Sequence, residues 1–159
     1  MTAVFRMPAN QRYFEDYVSG DSHECGQVAV TEAMIVEFAR RYDPQAMHID
    51  PDAARSGRFG GLIASGWHTM ALGMRLYVDH YLSSVASLAS PGVDELRWPN
   101  PVRPGDVLAA RVNILEARPS RSKPDRGIVR ARLEMWNQAH ELVLQALMMS
   151  IIGRRPSST

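Results

Sequence analysis

Hydrophobic and polar positions divide the chain into two halves with different periods. From about Asp21 to Val30, Val28 and Val30 alternate against Gln27 and Ala29 and predict a first strand. Thr31 has N-cap chemistry, and behind it Ile35, Phe38, Ala39 and Tyr42 form one apolar helical stripe, with Glu37, Arg40 and Arg41 off it. Pro44 forces Asp43 out of the α region, so this helix ends at Asp43. Asp50-Pro51 reads as the N-cap and first position of a second, short helix. After the glycine-broken run Gly57-Arg-Phe-Gly60-Gly61, residues from about Ser65 to Leu82 are apolar around nearly their whole circumference, which predicts a helix buried on most sides.

The second half alternates with period two. Leu108, Ala110, Val112 and Ile114 share one face of a strand, and Val129, Ala131, Leu133 and Met135 share one face of the next. Asn137-Gln-Ala-His140 supplies a hairpin turn. The last strand, about Glu141 to Ile152, is apolar on both faces, which suits a central place in a sheet. Residues 1–12 and 154–159 show no period and read as loose ends. Three to five antiparallel strands wrapped around one helix make a single α+β domain spanning 1–159, with an ordered core of about 13–153.

Composition narrows the function without assigning one. The 18 Lys and Arg against 17 Asp and Glu leave a formal charge of +1, which argues against nucleic acid as the main partner. A single cysteine, Cys25, excludes an intramolecular disulfide and any multi-cysteine metal site, and fits a reducing, cytoplasmic setting. The longest uncharged run, between Arg58 and Arg75, contains four glycines and falls short of the ~20 apolar residues a membrane span needs. The N-terminus lacks the apolar run of a signal peptide.

The candidate chemistry lies in Tyr42-Asp43-Pro-Gln-Ala-Met-His48-Ile-Asp50, where a carboxylate and an imidazole are five residues apart across a proline-stiffened turn. Folded back, they make an acid–base pair, each biasing the other's pKa. The competing reading is structural: Asp43 caps local amides and His48 lies on the surface. His23, His68, His80 and His140 are scattered without metal-ligand spacing, so no metal site is expected. No phosphate-binding or dinucleotide-binding glycine motif is present. Arg118, Arg121, Lys123 and Arg126 form a basic loop, read either as a solvated turn or as a contact for phosphates.

Asp43-Pro-Gln-Ala-Met-His48-Ile-Asp50, then Gly61-Leu-Ile-Ala-Ser-Gly66, then Arg97-Trp-Pro-Asn-Pro-Val-Arg-Pro-Gly-Asp-Val-Leu108 resemble, in order, three motifs of the MaoC-like dehydratases, the (R)-specific enoyl-CoA hydratases. The likeness spans about residues 14–152. It implies a hotdog fold, with an antiparallel sheet wrapped around a long central helix, working as a homodimer or an assembly of dimers on acyl-CoA. By the same resemblance Asp43 and His48 activate the water added to a trans-2-enoyl thioester, giving a (3R)-3-hydroxyacyl product. Gly66, at the start of the central helix, offers its N–H to the thioester oxygen. Gln45, Ser65, Trp67 and Met74 then fall along the substrate, and no cofactor is implied beyond the CoA of the substrate itself. Gln45 stands where the family often has Asn, Ala46 where it often has Pro, and Met74 where a hydroxyl residue is expected. Two alternatives stay open. One is a thioesterase, disfavoured because no Asp or Glu occurs between Ser65 and Val78. The other is a hotdog domain that binds acyl thioesters or a partner without catalysis.

Overall fold

The computed structural model describes residues 4–156. Six strands form one antiparallel sheet: β1 (Ser22–Ala29), β2 (Ser87–Ala89), β3 (Val93–Arg97), β4 (Val107–Pro119), β5 (Arg126–Trp136) and β6 (Leu142–Gly153). Their order is β1-β4-β5-β6-β2, and β3 also pairs with β6, so two short strands share its outer edge. The helices are α1 (Glu32–Tyr42), α2 (Ala46–Ile49), α3 (Pro51–Arg55) and α4 (Gly66–His80). The long α4 packs against β1, β4, β5 and β6. This is the hotdog fold.

The pattern along β5 explains the packing. Its residues alternate strictly, and Val129, Ala131, Leu133 and Met135 are buried against the helix side. Helix and sheet are in close contact at Gly73, where an added Cβ would stand 2.8 Å from Met135 Sδ and 3.3 Å from Leu133 Cδ2. A side chain there would lift the helix off the sheet. At the edge of the sheet β1 bulges beside His80 of α4: its register on β4 shifts between Glu24 and Gln27, with Gly26 at φ +75° in the left-handed region.

Local signals settle the helix ends. Thr31 Oγ1 accepts from Met34 N at 3.2 Å, and Asp50 Oδ1 accepts from Asp52 N and Ala53 N, both at 3.0 Å. Tyr42 departs from the expected stripe: it is 71% exposed and leans on Phe38, because α1 turns only Ile35 and Ala39 fully inward. The central helix is also less enveloped than its composition suggests. His68, Thr69, Gly73, Leu76 and Tyr77 are buried, whereas Trp67, Met74 and Val78 stand exposed along another face. The sheet has more strands than the three to five expected, because β2 and β3 are short, exposed and without strong alternation.

The segments read as loose are tied down within the described residues. The buried Arg12 guanidinium sits 3.5 Å from the Phe5 ring centroid and donates to Tyr81 O at 2.7 Å and Met7 O at 3.1 Å. It thus supplies partners for carbonyls at the end of α4. Arg154 and Arg155 pair with Glu15 and Asp16. Residues 1–3 and 157–159 lie outside the described residues.

Candidate active site

The chain between α1 and α4 brings the two candidate residues together. Asp43 is the C-cap of α1, where its N–H donates to Ala39 O at 2.8 Å. His48 does not lie on an open turn, as the sequence suggests, but on α2, whose first amides follow directly on Gln45. One turn of helix folds the chain back, and His48 Nε2 comes within 3.4 Å of Asp43 Oδ2. The imidazole is buried rather than on the surface. Its Nδ1 is 2.7 Å from Ile63 O. A carbonyl only accepts, so Nδ1 carries the proton and Nε2 is the atom presented to Asp43.

Asp43 accepts side-chain donors instead of capping backbone amides. Ser65 Oγ donates to Oδ2 and Gln45 Nε2 donates to Oδ1, each at 2.6 Å. The Ser65 bond first, then the Gln45 bond, hold its carboxyl below the usual carboxylate range, with a smaller pull from His48 and partial burial opposing them. Ser65, 0% exposed, is also the N-cap of α4 and accepts from Trp67 N at 3.3 Å. One hydroxyl therefore joins the carboxylate to the start of the central helix.

Beside this pair lies a cavity of about 240 Å³. His48 and Gly66 both line it, and Phe59, Ile63, Val102 and Val143 give it apolar walls. Gly66 is the first residue of α4, so its N–H has no acceptor within the helix and the helix dipole favours negative charge there. The Trp98 indole covers its Cα: a Cβ at Gly66 would stand 2.5 Å from Trp98 Cδ2 and Cε2. Any residue larger than glycine pushes that wall aside.

The other expected residues are placed differently. Gln45 and Ser65 touch Asp43 rather than line the cavity. Trp67, 60% exposed, meets Trp98 edge to face with ring centroids 5.4 Å apart. Met74 is exposed two turns along α4, away from the cavity lining. The basic loop joins β4 to β5 at the opposite end of the sheet; the eleven residues of β5 separate it from the cavity end by roughly 35 Å. Arg118 pairs there with Glu116, and Arg126 with Asp125. Sequence reading missed Phe59, Trp98, Asn100, Val102 and Val143 as lining residues. The motif from Arg97 to Leu108 contained three of them, but nothing in its spacing shows that its turns fold over His48. Among the described residues, no group of three or more His, Cys, Asp or Glu is arranged to hold a metal ion, and no helix is long and apolar enough to cross a membrane.

Comparisons with known proteins agree with this fold. The solved structure of a MaoC-like dehydratase from Rhodospirillum rubrum is similar with a TM-score of 0.85 and 41% identity, covering 92% of this chain and 99% of that one. The uncharacterised protein YdeM of Bacillus subtilis is 29% identical over 140 residues, 88% of this chain and 98% of its own length. The 3-hydroxyacyl-thioester dehydratase Z of Mycobacterium tuberculosis is 32% identical over 105 residues, 63% of this chain and 70% of its own. The MaoC like domain matches residues 19–136, most of the chain, including Asp43, His48 and Gly66, and the protein belongs to that family.

Proposed function

We propose that the protein is an acyl-thioester hydratase/dehydratase, adding water reversibly to a trans-2-enoyl thioester to give a (3R)-3-hydroxyacyl thioester. One observation carries this reading: His48 and Gly66 line a single apolar cavity, with Asp43 Oδ2 3.4 Å from His48 Nε2. A base, a helix N-terminal amide and an apolar wall are what a hydration of this kind needs. The relative named as a 3-hydroxyacyl-thioester dehydratase supports the reaction class.

In the hydration direction a water held by His48 Nε2 and Asp43 Oδ2 bonds through its oxygen to C3 of the enoyl group. Its proton passes to Nε2. The electron pair of the C2=C3 bond moves toward C1, and the charge that builds on the thioester oxygen meets the Gly66 N–H. The proton is then delivered to C2, so one molecule of water is added in all. Asp43 stays ionised, held so by Ser65 and Gln45, and stabilises the imidazolium between the two steps. No cofactor or metal enters these steps beyond the CoA carried by the substrate.

The exposed face of α4, with Trp67, Met74 and Val78 at helical spacing, supports a homodimer in which a second copy covers it. A cytoplasmic setting accords with the single buried cysteine.

The test is loss of the conjugated enoyl absorbance of crotonyl-CoA and longer enoyl-CoAs, with chiral analysis of the product. Asp43→Asn and His48→Gln should each lower kcat by orders of magnitude with the circular dichroism spectrum unchanged. Equal turnover in all three proteins would remove the pair from the mechanism. Silence of the wild type across short, branched and dicarboxylic enoyl-CoAs would leave a non-catalytic acyl-binding domain.

A further inference from the structure

The cavity walls are not equally anchored. Ile63 and Ala64 are held by backbone bonds, Ile63 N to Met47 O at 3.1 Å and Ala64 N to Val102 O at 2.8 Å, and Val143 belongs to β6. Phe59 is different. It lies at the corner of a turn closed by Gly60 N to Gly57 O at 3.0 Å, and glycines at 57, 60 and 61 surround it, Gly60 at φ +66°. Its ring lines the cavity while 37% of the residue remains exposed. Among the described residues, the hydrogen bond that ties residues 58–61 to the rest of the protein is Arg103 Nη2 to Phe59 O at 2.7 Å.

Arg103, by contrast, stands on a fixed post. Its N–H donates to Asp106 Oδ2 at 2.8 Å, and Asp106 is buried. Gln138 Nε2 donates to Asp106 Oδ1 at 2.8 Å, and Gln138 Oε1 accepts from Val107 N at 2.9 Å. The turn bearing Arg103 is thus locked to the hairpin between β5 and β6. An anchored turn lends a guanidinium to the carbonyl of a glycine-rich turn whose side chain lines an apolar cavity.

We propose that Phe59 is the adjustable end wall of the acyl cavity and that Arg103 is the positioning residue that sets where it stands, so that together they fix the length of acyl group accepted. The proposal rests on the acyl-thioester reading of the site. With the wall held, the 240 Å³ cavity suits short acyl chains. With the wall released or trimmed, the chain extends between Phe59 and Val102 toward solvent.

The experiment measures binding of butanoyl-, octanoyl- and dodecanoyl-CoA by tryptophan fluorescence, since Trp98 lines the same cavity. Turnover of the matching trans-2-enoyl-CoAs is followed in parallel. Phe59→Ala and Arg103→Ala should each raise the long-to-short affinity ratio by about tenfold or more, the scale on which apolar pockets discriminate methylenes. Arg103→Lys, which keeps a donor, should bring the ratio back toward the wild-type value. General destabilisation lowers all three affinities together and leaves the ratio alone. Unchanged ratios in both alanine variants overturn the proposal. A ratio moved by Phe59→Ala but not by Arg103→Ala overturns the role of Arg103. Shifted ratios in a protein that turns over no enoyl-CoA support the wall and sink the hydratase reading, whereas absence of binding by every acyl-CoA overturns both.

Discussion

Replacing Ser65 by alanine removes two interactions made by one buried hydroxyl, and they report on different observables. As donor, Oγ reaches Asp43 Oδ2 at 2.6 Å; as acceptor, it caps Trp67 N at 3.3 Å. A hydrogen bond to a charged group contributes about 1.5–3 kcal/mol. Asp43 lies near the surface, so water replaces part of the loss and the lower end applies. The loss falls on the ionised form, so the acid limb of the pH–rate profile should move. The sign follows from the depressed carboxyl: Ser65 keeps Asp43 ionised as pH falls, so its removal lets the proton bind at higher pH and the limb moves up. The lost cap costs a further ~1 kcal/mol of stability, or about 2–4 °C in Tm. Gln45→Ala removes the exposed donor to Oδ1 and should move the limb less. The assay is kcat/KM for crotonyl-CoA across pH, with melting in parallel. A lowered Tm with an unmoved acid limb would refute the electrostatic role and leave Ser65 as a cap alone.

Other substitutions test separate features. Gly66→Ala places a Cβ 2.5 Å from the Trp98 indole, so the ring must move; tryptophan emission should shift and turnover should fall at least tenfold. Gly73→Ala gains up to ~1 kcal/mol of helix propensity but crowds Met135 and Leu133; overpacking costs about 1–3 kcal/mol, so a net fall in Tm is expected, and a rise would show that the sheet yields. Tyr77→Phe strands the buried Ser150 hydroxyl, now 3.0 Å from Tyr77 Oη, and should cost about 1–3 kcal/mol in urea unfolding without changing the pH profile. Burial pushes the Cys25 thiol up to about 12, so iodoacetamide at mildly alkaline pH should label it only after unfolding; rapid labelling of the native protein contradicts the packing.

Most of the fold was legible because its elements carry their periods openly. The alternation of Val129 to Met135, the Thr31 and Asp50 caps and the apolar run after Ser65 each reappear as elements within a residue or two of the expected ends. β6, apolar on both faces, does lie inside the sheet, between β5 and the β2/β3 edge. What the periods could not show is pairing. β2 and β3 are strands because β6 offers them its outer edge, and Val93-Asp-Glu-Leu-Arg97 taken alone is a polar loop. The same limit applies at the site. Spacing suggested that Asp43 and His48 could meet, but the helical turn that joins them, the Ser65 bond 22 residues away and the wall at Phe59 are long-range facts. Met74 lies on a helix whose rotation relative to the cavity only packing fixes, so distance along that helix does not place it at the site.

The order of strands also bears on how the molecule assembles. β4, β5 and β6 follow one another along the chain and pair as neighbours, so they can zip as hairpins, whereas β1 must find β4 across the whole helical segment, as in Val28 with Leu108. Contacts of such sequence separation are slow to close. The carboxylate and imidazole sit in the stretch that waits for that closure, while Val143 and the turn bearing Arg103 belong to the early meander. In a refolding experiment the sheet signal should therefore return before the activity, with the chemistry installed last on a wall already built.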